Sequence, residues 1–102
     1  MASVNINKDN FQLEVLESDR PVLLDFWASW CGPCRMVLPI VEQIAQDRPD
    51  VKVCKINVDQ EPELASQFDI MSIPTLVVLE KGKQLHRASG ARPREAIEAM
   101  LP

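Results

Sequence analysis

The chain has 102 residues, 46% of them hydrophobic and 25% charged, and a net charge of −4 at neutral pH. That length suits one domain, residues 1–102, able to bury its own core. The acidic balance, without any basic block, excludes nucleic acid and an anionic membrane as expected partners, and no apolar run approaches the ~20 residues of a membrane span.

A short strand is expected near Val4–Ile6, followed by a helix from Asn7 or Asp9 with Phe11 and Val15 four apart on its inner face. Pro21 to Ala28 reads as a second strand, apolar on both faces apart from Asp25, as a central strand covered on both sides should be. A long helix from Pro33 to Arg48 carries Val37, Leu38, Ile40, Val41, Ile44 and Ala45 as its apolar stripe. Pro33 fits the first turn, where its missing N–H costs nothing. Pro39 lies inside the pattern and is expected to kink one helix, not divide it in two, because the stripe continues in phase.

Val51–Val58 reads as a third strand and Glu61–Phe68 as a short helix carrying Leu64, Ala65 and Phe68. Pro74–Leu79 is a fourth strand, Lys81-Gly82 a tight turn, and Gln84–Ala88 a fifth strand. Arg92 or Pro93 opens a terminal helix with Ile97, Met100 and Leu101 inward. The order β-α-β-α-β-α-β-β-α describes an α/β domain whose first three strands are parallel and whose last two form a hairpin.

Chemistry concentrates in Trp30-Cys31-Gly32-Pro33-Cys34, at the turn from the second strand into the long helix. Two thiols at this spacing can close into a disulfide across one turn of backbone. A helix start also presents unpaired N–H groups and the positive end of the dipole, which favour a thiolate. Structural zinc would need four ligands, and only Cys54 and His86 stand elsewhere, widely separated. A lone Cys-x-x-Cys beside a β-α-β pattern therefore reads as a redox motif. Three cysteines, with no basic and apolar leader pattern at the N-terminus, point to a reducing compartment, the cytoplasm. Cys54 reads as a small buried hydrophobe and His86 as a solvated side chain.

The segment Phe26-Trp27-Ala28-Ser29-Trp30-Cys31-Gly32-Pro33-Cys34-Arg35 closely resembles the active-site segment of the thioredoxin family. Ile73-Pro74-Thr75 matches that family's second signature, and Gly82 and Gly90 fall where it places glycines. The resemblance covers essentially the whole chain. It implies the thioredoxin fold, a five-stranded mixed sheet flanked by four helices, and a protein dithiol–disulfide oxidoreductase. Cys31, nearer the helix start, would be the attacking thiolate. Cys34, one turn further in, would resolve the mixed disulfide and would need a proton acceptor.

Asp25 within its apolar strand has two readings from the residues alone: a structural acid paired with Lys55, or an acid whose pKa burial raises. The resemblance favours the second, since the family's matching acid lies behind the second cysteine and exchanges its proton, and Lys55 matches that acid's partner. The base rate of cis X–Pro bonds, about 5–6%, favours trans for Ile73–Pro74; the resemblance implies cis, with Pro74 facing the disulfide. It also implies that Trp30, Gly32, Pro33, Ile73, Val58, Gly90 and Ala91 form a flat apolar patch for extended target peptides. Core packing is the plainer reading of Val58, a simple turn that of Gly90, and Trp27 reads as structural.

The electrons would be stored in the Cys31–Cys34 pair, with no bound cofactor and no metal. Partners implied by the family are thioredoxin reductase, fed by NADPH or ferredoxin, and disulfide-containing proteins such as ribonucleotide reductase, peroxiredoxin or methionine sulfoxide reductase, met by a monomer. A non-catalytic binding or holdase module is the rival reading. It has no use for both cysteines, a buried acid and the Ile-Pro dipeptide together. Four positions depart from the family pattern: Asp69 replaces a frequent glycine, Lys81 favours a bulged turn, Leu79 replaces an aromatic, and Pro93 replaces a capping serine.

Overall fold

A computed structural model describes residues 2–102. Its strands are β1 (Val4–Asn5), β2 (Val22–Trp27), β3 (Lys52–Asn57), β4 (Thr75–Glu80) and β5 (Lys83–Ser89). The helices are a π-helical turn (Gln12–Leu16) and α1 (Gly32–Asp47), α2 (Pro62–Gln67) and α3 (Arg94–Glu98). The strands pair in the order β1-β3-β2-β4-β5. β1 and β2 both run parallel to β3, while β4 is antiparallel to β2 and to β5. This is the five-stranded mixed sheet with four flanking helices that the sequence leads one to expect. No described helix is long and apolar enough to cross a membrane.

β2 is the centre of the sheet, and its alternation sorts two cores. Val22, Leu24 and Phe26 face Phe11, Val15, Leu64 and the ring of Phe68. Leu23, with Val53, Leu76 and Val78, faces Val37, Val41 and Ile44 of α1 and Ile97 of α3. Asp25 falls on this second face by its register, opposite Lys55 on β3 and Leu76 on β4. α1 is one continuous helix with Pro39 inside it, so the two-helix alternative does not hold. Arg94 ties α3 to α1 through an ion pair with Asp47, and pairs with Glu98 within α3.

Three local features differ from the sequence reading. A helix is expected from Asn7 or Asp9; residues 8–10 instead form a turn, in which the Asn7 side chain accepts from the N–H groups of Asp9 and Asn10, and the helical turn begins at Gln12. It then widens, the Glu17 N–H bonding the Gln12 carbonyl five residues back. The β4–β5 connection is not bulged: Glu80 pairs with Lys83, and Lys81 (φ 52) and Gly82 (φ 78) form a two-residue loop. Both central residues with positive φ give the turn whose twist matches the flanking strands, which outweighs the cost at Lys81. The bulge lies inside the hairpin instead, where Val78 pairs with His86 and Leu79 with Gln84, leaving Leu85 over. Finally, α3 starts at Arg94, with Pro93 extended at its N-cap and no side-chain cap.

Asp69 takes the left-handed conformation (φ 52) directly after α2. The N–H of Ile70 bonds the carbonyl of Ala65 and that of Asp69 the carbonyl of Ser66, the double closure that most often uses glycine. Asp69→Gly removes the Cβ clash and keeps both bonds. It should raise the unfolding free energy by about 1 kcal/mol, read as a higher denaturant midpoint with unchanged slope.

Candidate functional site

Parallel β2 and β3 end at the same edge of the sheet, so the loops after them, with Trp30 and Cys31 on one and Val58 and Asp59 on the other, meet there. Cys31 is the N-cap of α1, with extended backbone, and its sulfur accepts from the Cys34 N–H at 3.2 Å. Gly32 and Pro33 occupy the first turn, where Pro33 needs no N–H partner. The two sulfurs are bonded to each other, with a Cα–Cα distance of 5.3 Å. Cys31 keeps 4% of its surface exposed and Cys34 none. One sulfur is thus reachable and the other is shielded behind it.

The Ile73–Pro74 peptide is cis, as the family resemblance implies and the base rate does not. Pro74 is buried, and the Ile73 carbonyl oxygen lies 3.8 Å from the Cys31 sulfur. Gly90, at φ 91, donates its N–H to the Pro74 carbonyl at 2.8 Å. That bond draws the loop after β5 to the same edge. Ile73, Val58 and Trp27 pack on the buried cluster of Ala28, Cys31 and Cys34. Trp30 is 66% exposed, Gly32 and Pro33 are exposed, and beside them opens a groove walled by Trp30, Val58, Ala65, Ile70, Met71 and Ile73.

Beneath α1, Asp25 is fully buried, and among the described residues neither of its oxygens has a hydrogen-bond partner. Burial raises its pKa from the ordinary 3.8 to about 7; the Lys55 charge pulls against this rise and Glu42 adds to it. The expected pairing of Asp25 with Lys55 takes a different form. The lysine ammonium donates to Glu42 Oε2 at 2.8 Å, so Lys55 acts on Asp25 through space while its direct bond lies with α1.

Two residues of this assembly were not visible beforehand. Glu42 stands beside Val41 on the edge of the helix stripe, which reads as an ordinary solvated position. Asp59 accepts the Trp30 indole N–H at 2.8 Å and so holds the exposed ring in place. The signal that could have found Asp59 is its place just past a strand parallel to the one that delivers Trp30. Cys54 lies in the other core, where burial pushes its thiol up to about 12, in keeping with a packing role. His86 is exposed on β5.

Comparison with known proteins agrees with this geometry. The sequence model of the thioredoxin family matches residues 2–102. The thioredoxin of Alicyclobacillus acidocaldarius is 48% identical over 101 residues, covering 98% of this chain and 95% of that protein. Thioredoxin 1 of a Nostoc species is 46% identical, with 98% and 94% covered, and thioredoxin 1 of Synechococcus elongatus 53% identical, with 89% and 86% covered.

The elevated Asp25 pKa has a stability consequence with a definite sign. Below about pH 4 the carboxyl is protonated whether folded or not, and its ionisation costs nothing. Between about 4 and 7 the unfolded chain ionises first, so folding loses free energy, reaching a few kcal/mol above about pH 7. Asp25→Asn should therefore gain stability over the parent progressively as the pH is raised from about 4 to about 8, measured by denaturant titration at each pH. A gain independent of pH would contradict the assignment.

Proposed function

Because the chain belongs to the thioredoxin family, and is a dithiol–disulfide oxidoreductase acting on protein disulfides, we propose a division of labour among its residues. Cys31 attacks, Cys34 resolves, Asp25 takes the proton, and Lys55 tunes that acid. Pro74, with Trp30, Gly32, Pro33, Ile73 and Gly90, seats the target. The observation that carries this reading is a buried, unpartnered acid lying under the same helix whose first turn holds the sulfur pair.

In the reduced protein the Cys31 sulfur bears negative charge, stabilised by the Cys34 N–H and the positive end of α1. It attacks one sulfur of a target disulfide; the other target sulfur leaves with the electron pair of the broken bond. Cys34 then gives its proton to Asp25, attacks the Cys31 sulfur and releases the second target thiolate. Two electrons have passed to the target, and the Cys31–Cys34 bond has formed. The target lies extended along Ile73, whose carbonyl points to the same sulfur that is attacked.

The electrons are carried in the sulfur pair, and this supports a cycle that needs no bound cofactor or metal. A reductase returns the pair to the dithiol. Thioredoxin reductase, drawing on NADPH or ferredoxin, fits that role, and a reducing compartment, the cytoplasm, fits a protein that must be kept reduced. The acidic surface fits a monomer that meets proteins and neither nucleic acid nor membrane. The non-catalytic alternative leaves the shielded second sulfur and the acid without a task.

Cys31→Ser should abolish reduction of a model disulfide protein such as insulin. Cys34→Ser should attack once and stop, accumulating a mixed disulfide with the target that mass spectrometry detects. Asp25→Asn should slow release from that adduct about tenfold or more at neutral pH, as loss of a general base does, while leaving its formation close to the parent's rate. Reduction by either serine variant at the parent's rate would sink the reading.

A further inference from the structure

The Lys55 ammonium acts on two carboxylates, Glu42 on α1 and Asp25 on β2. It is bonded to Glu42 at 2.8 Å, and Glu42 is itself held by the Ser3 hydroxyl at 2.7 Å and the Ser3 N–H at 3.4 Å. Asp25, register neighbour of Lys55 on β2, receives no hydrogen bond among the described residues. Had Lys55 turned to Asp25, the buried acid would be a saturated ion pair, firmly ionised and a poor proton acceptor. We infer that Glu42 is a positioning residue for the proton transfer: by holding the Lys55 ammonium against α1, it keeps that charge from closing on Asp25.

The inference rests on the reading of Asp25 as proton acceptor. The groups facing Asp25 are few. β3 contributes Lys55, α1 contributes Glu42, and β4 presents the apolar Leu76. Glu42 is suited to its part. Burial alone would raise its pKa, yet the hydrogen bonds from Lys55 and Ser3 outweigh burial and hold it below the ordinary value, so it stays charged where Asp25 titrates. Its negative charge also disfavours ionisation of Asp25 directly. Removing that charge therefore acts twice in the same direction, freeing Lys55 and ending the repulsion.

The experiment compares the parent with Glu42→Gln, Lys55→Gln, the double variant and Ser3→Ala. The Glu42 side chain is 37% exposed, so its amide isostere leaves the fold standing. The first readout is the carbon-13 titration of the Asp25 carboxyl in the oxidised protein, which requires no activity. Glu42→Gln should lower the midpoint by about one pH unit. In the Lys55→Gln background the same change should lower it by less than half as much, because the effect runs mainly through the lysine. Ser3→Ala, which loses the hydroxyl bond to Glu42 and keeps the Ser3 N–H and both charges, should stay at the parent's midpoint. An unmoved midpoint in Glu42→Gln, an equal drop without Lys55, or an equal drop in Ser3→Ala would each overturn the inference. The second readout is the pH profile of mixed-disulfide resolution, whose acidic limb should follow the titration. If the titration moves as expected and the limb does not, Glu42's hold on Asp25 stands and the assignment of Asp25 as acceptor falls.

Discussion

A carboxylate sealed under a helix, with no hydrogen bond among the described residues to stabilise its charge, is an unfavourable arrangement that the packing around Asp25 maintains. Asp25 sits in the central strand, with β3 and β4 hydrogen-bonded on either side and α1 across its face. Leu23, Leu76, Val37 and Val41 supply the surrounding apolar packing that excludes water. Desolvation is the dominant influence on such a group, and it is opposed here only at a distance. The acid is consequently poised near neutrality, where it can either accept or surrender a proton.

The sulfur pair obeys the complementary logic. Placing Cys31 at the N-cap of α1 aims an otherwise unsatisfied N–H at its sulfur, and one helical turn separates it from Cys34 inside. The geometry that stabilises negative charge on the outer sulfur also buries the inner one. Access differs between them for the same reason: the N-cap lies at the sheet's edge, the first turn beneath it. Ile73 and Gly90, tied together through Pro74, close the site from the far side and leave a groove toward Met71, which is 93% exposed.

Electrostatics then link the two halves. Lys55 is bonded to a surface helix and acts on the buried acid through space, and the balance depends on Glu42, which also accepts from Ser3. The same kind of reach holds Trp30, whose indole is fixed by Asp59 from the neighbouring parallel strand.

Much of this was legible in the residues themselves. Alternation and length identified all five strands, the helix stripe located α1, and Trp30-Cys31-Gly32-Pro33-Cys34 marked the site, because these features depend on neighbours within a few positions; Ile73-Pro74 joined it only through the family resemblance. Where local rules compete, the reading failed: Lys81 looked like a bulge former, but the twist of the hairpin selected a two-residue loop and moved the bulge to Leu85. The partner of Lys55 was equally beyond reach, since a lysine acting on two carboxylates chooses by distance and orientation across packed elements. Sequence alone determined the chemistry available, two sulfurs, an acid and a helix to polarise them; only the tertiary structure decided which charges touch, because hydrogen bonds need close contact and Coulomb attraction weakens with separation, and those separations exist only once α1 has docked on the sheet.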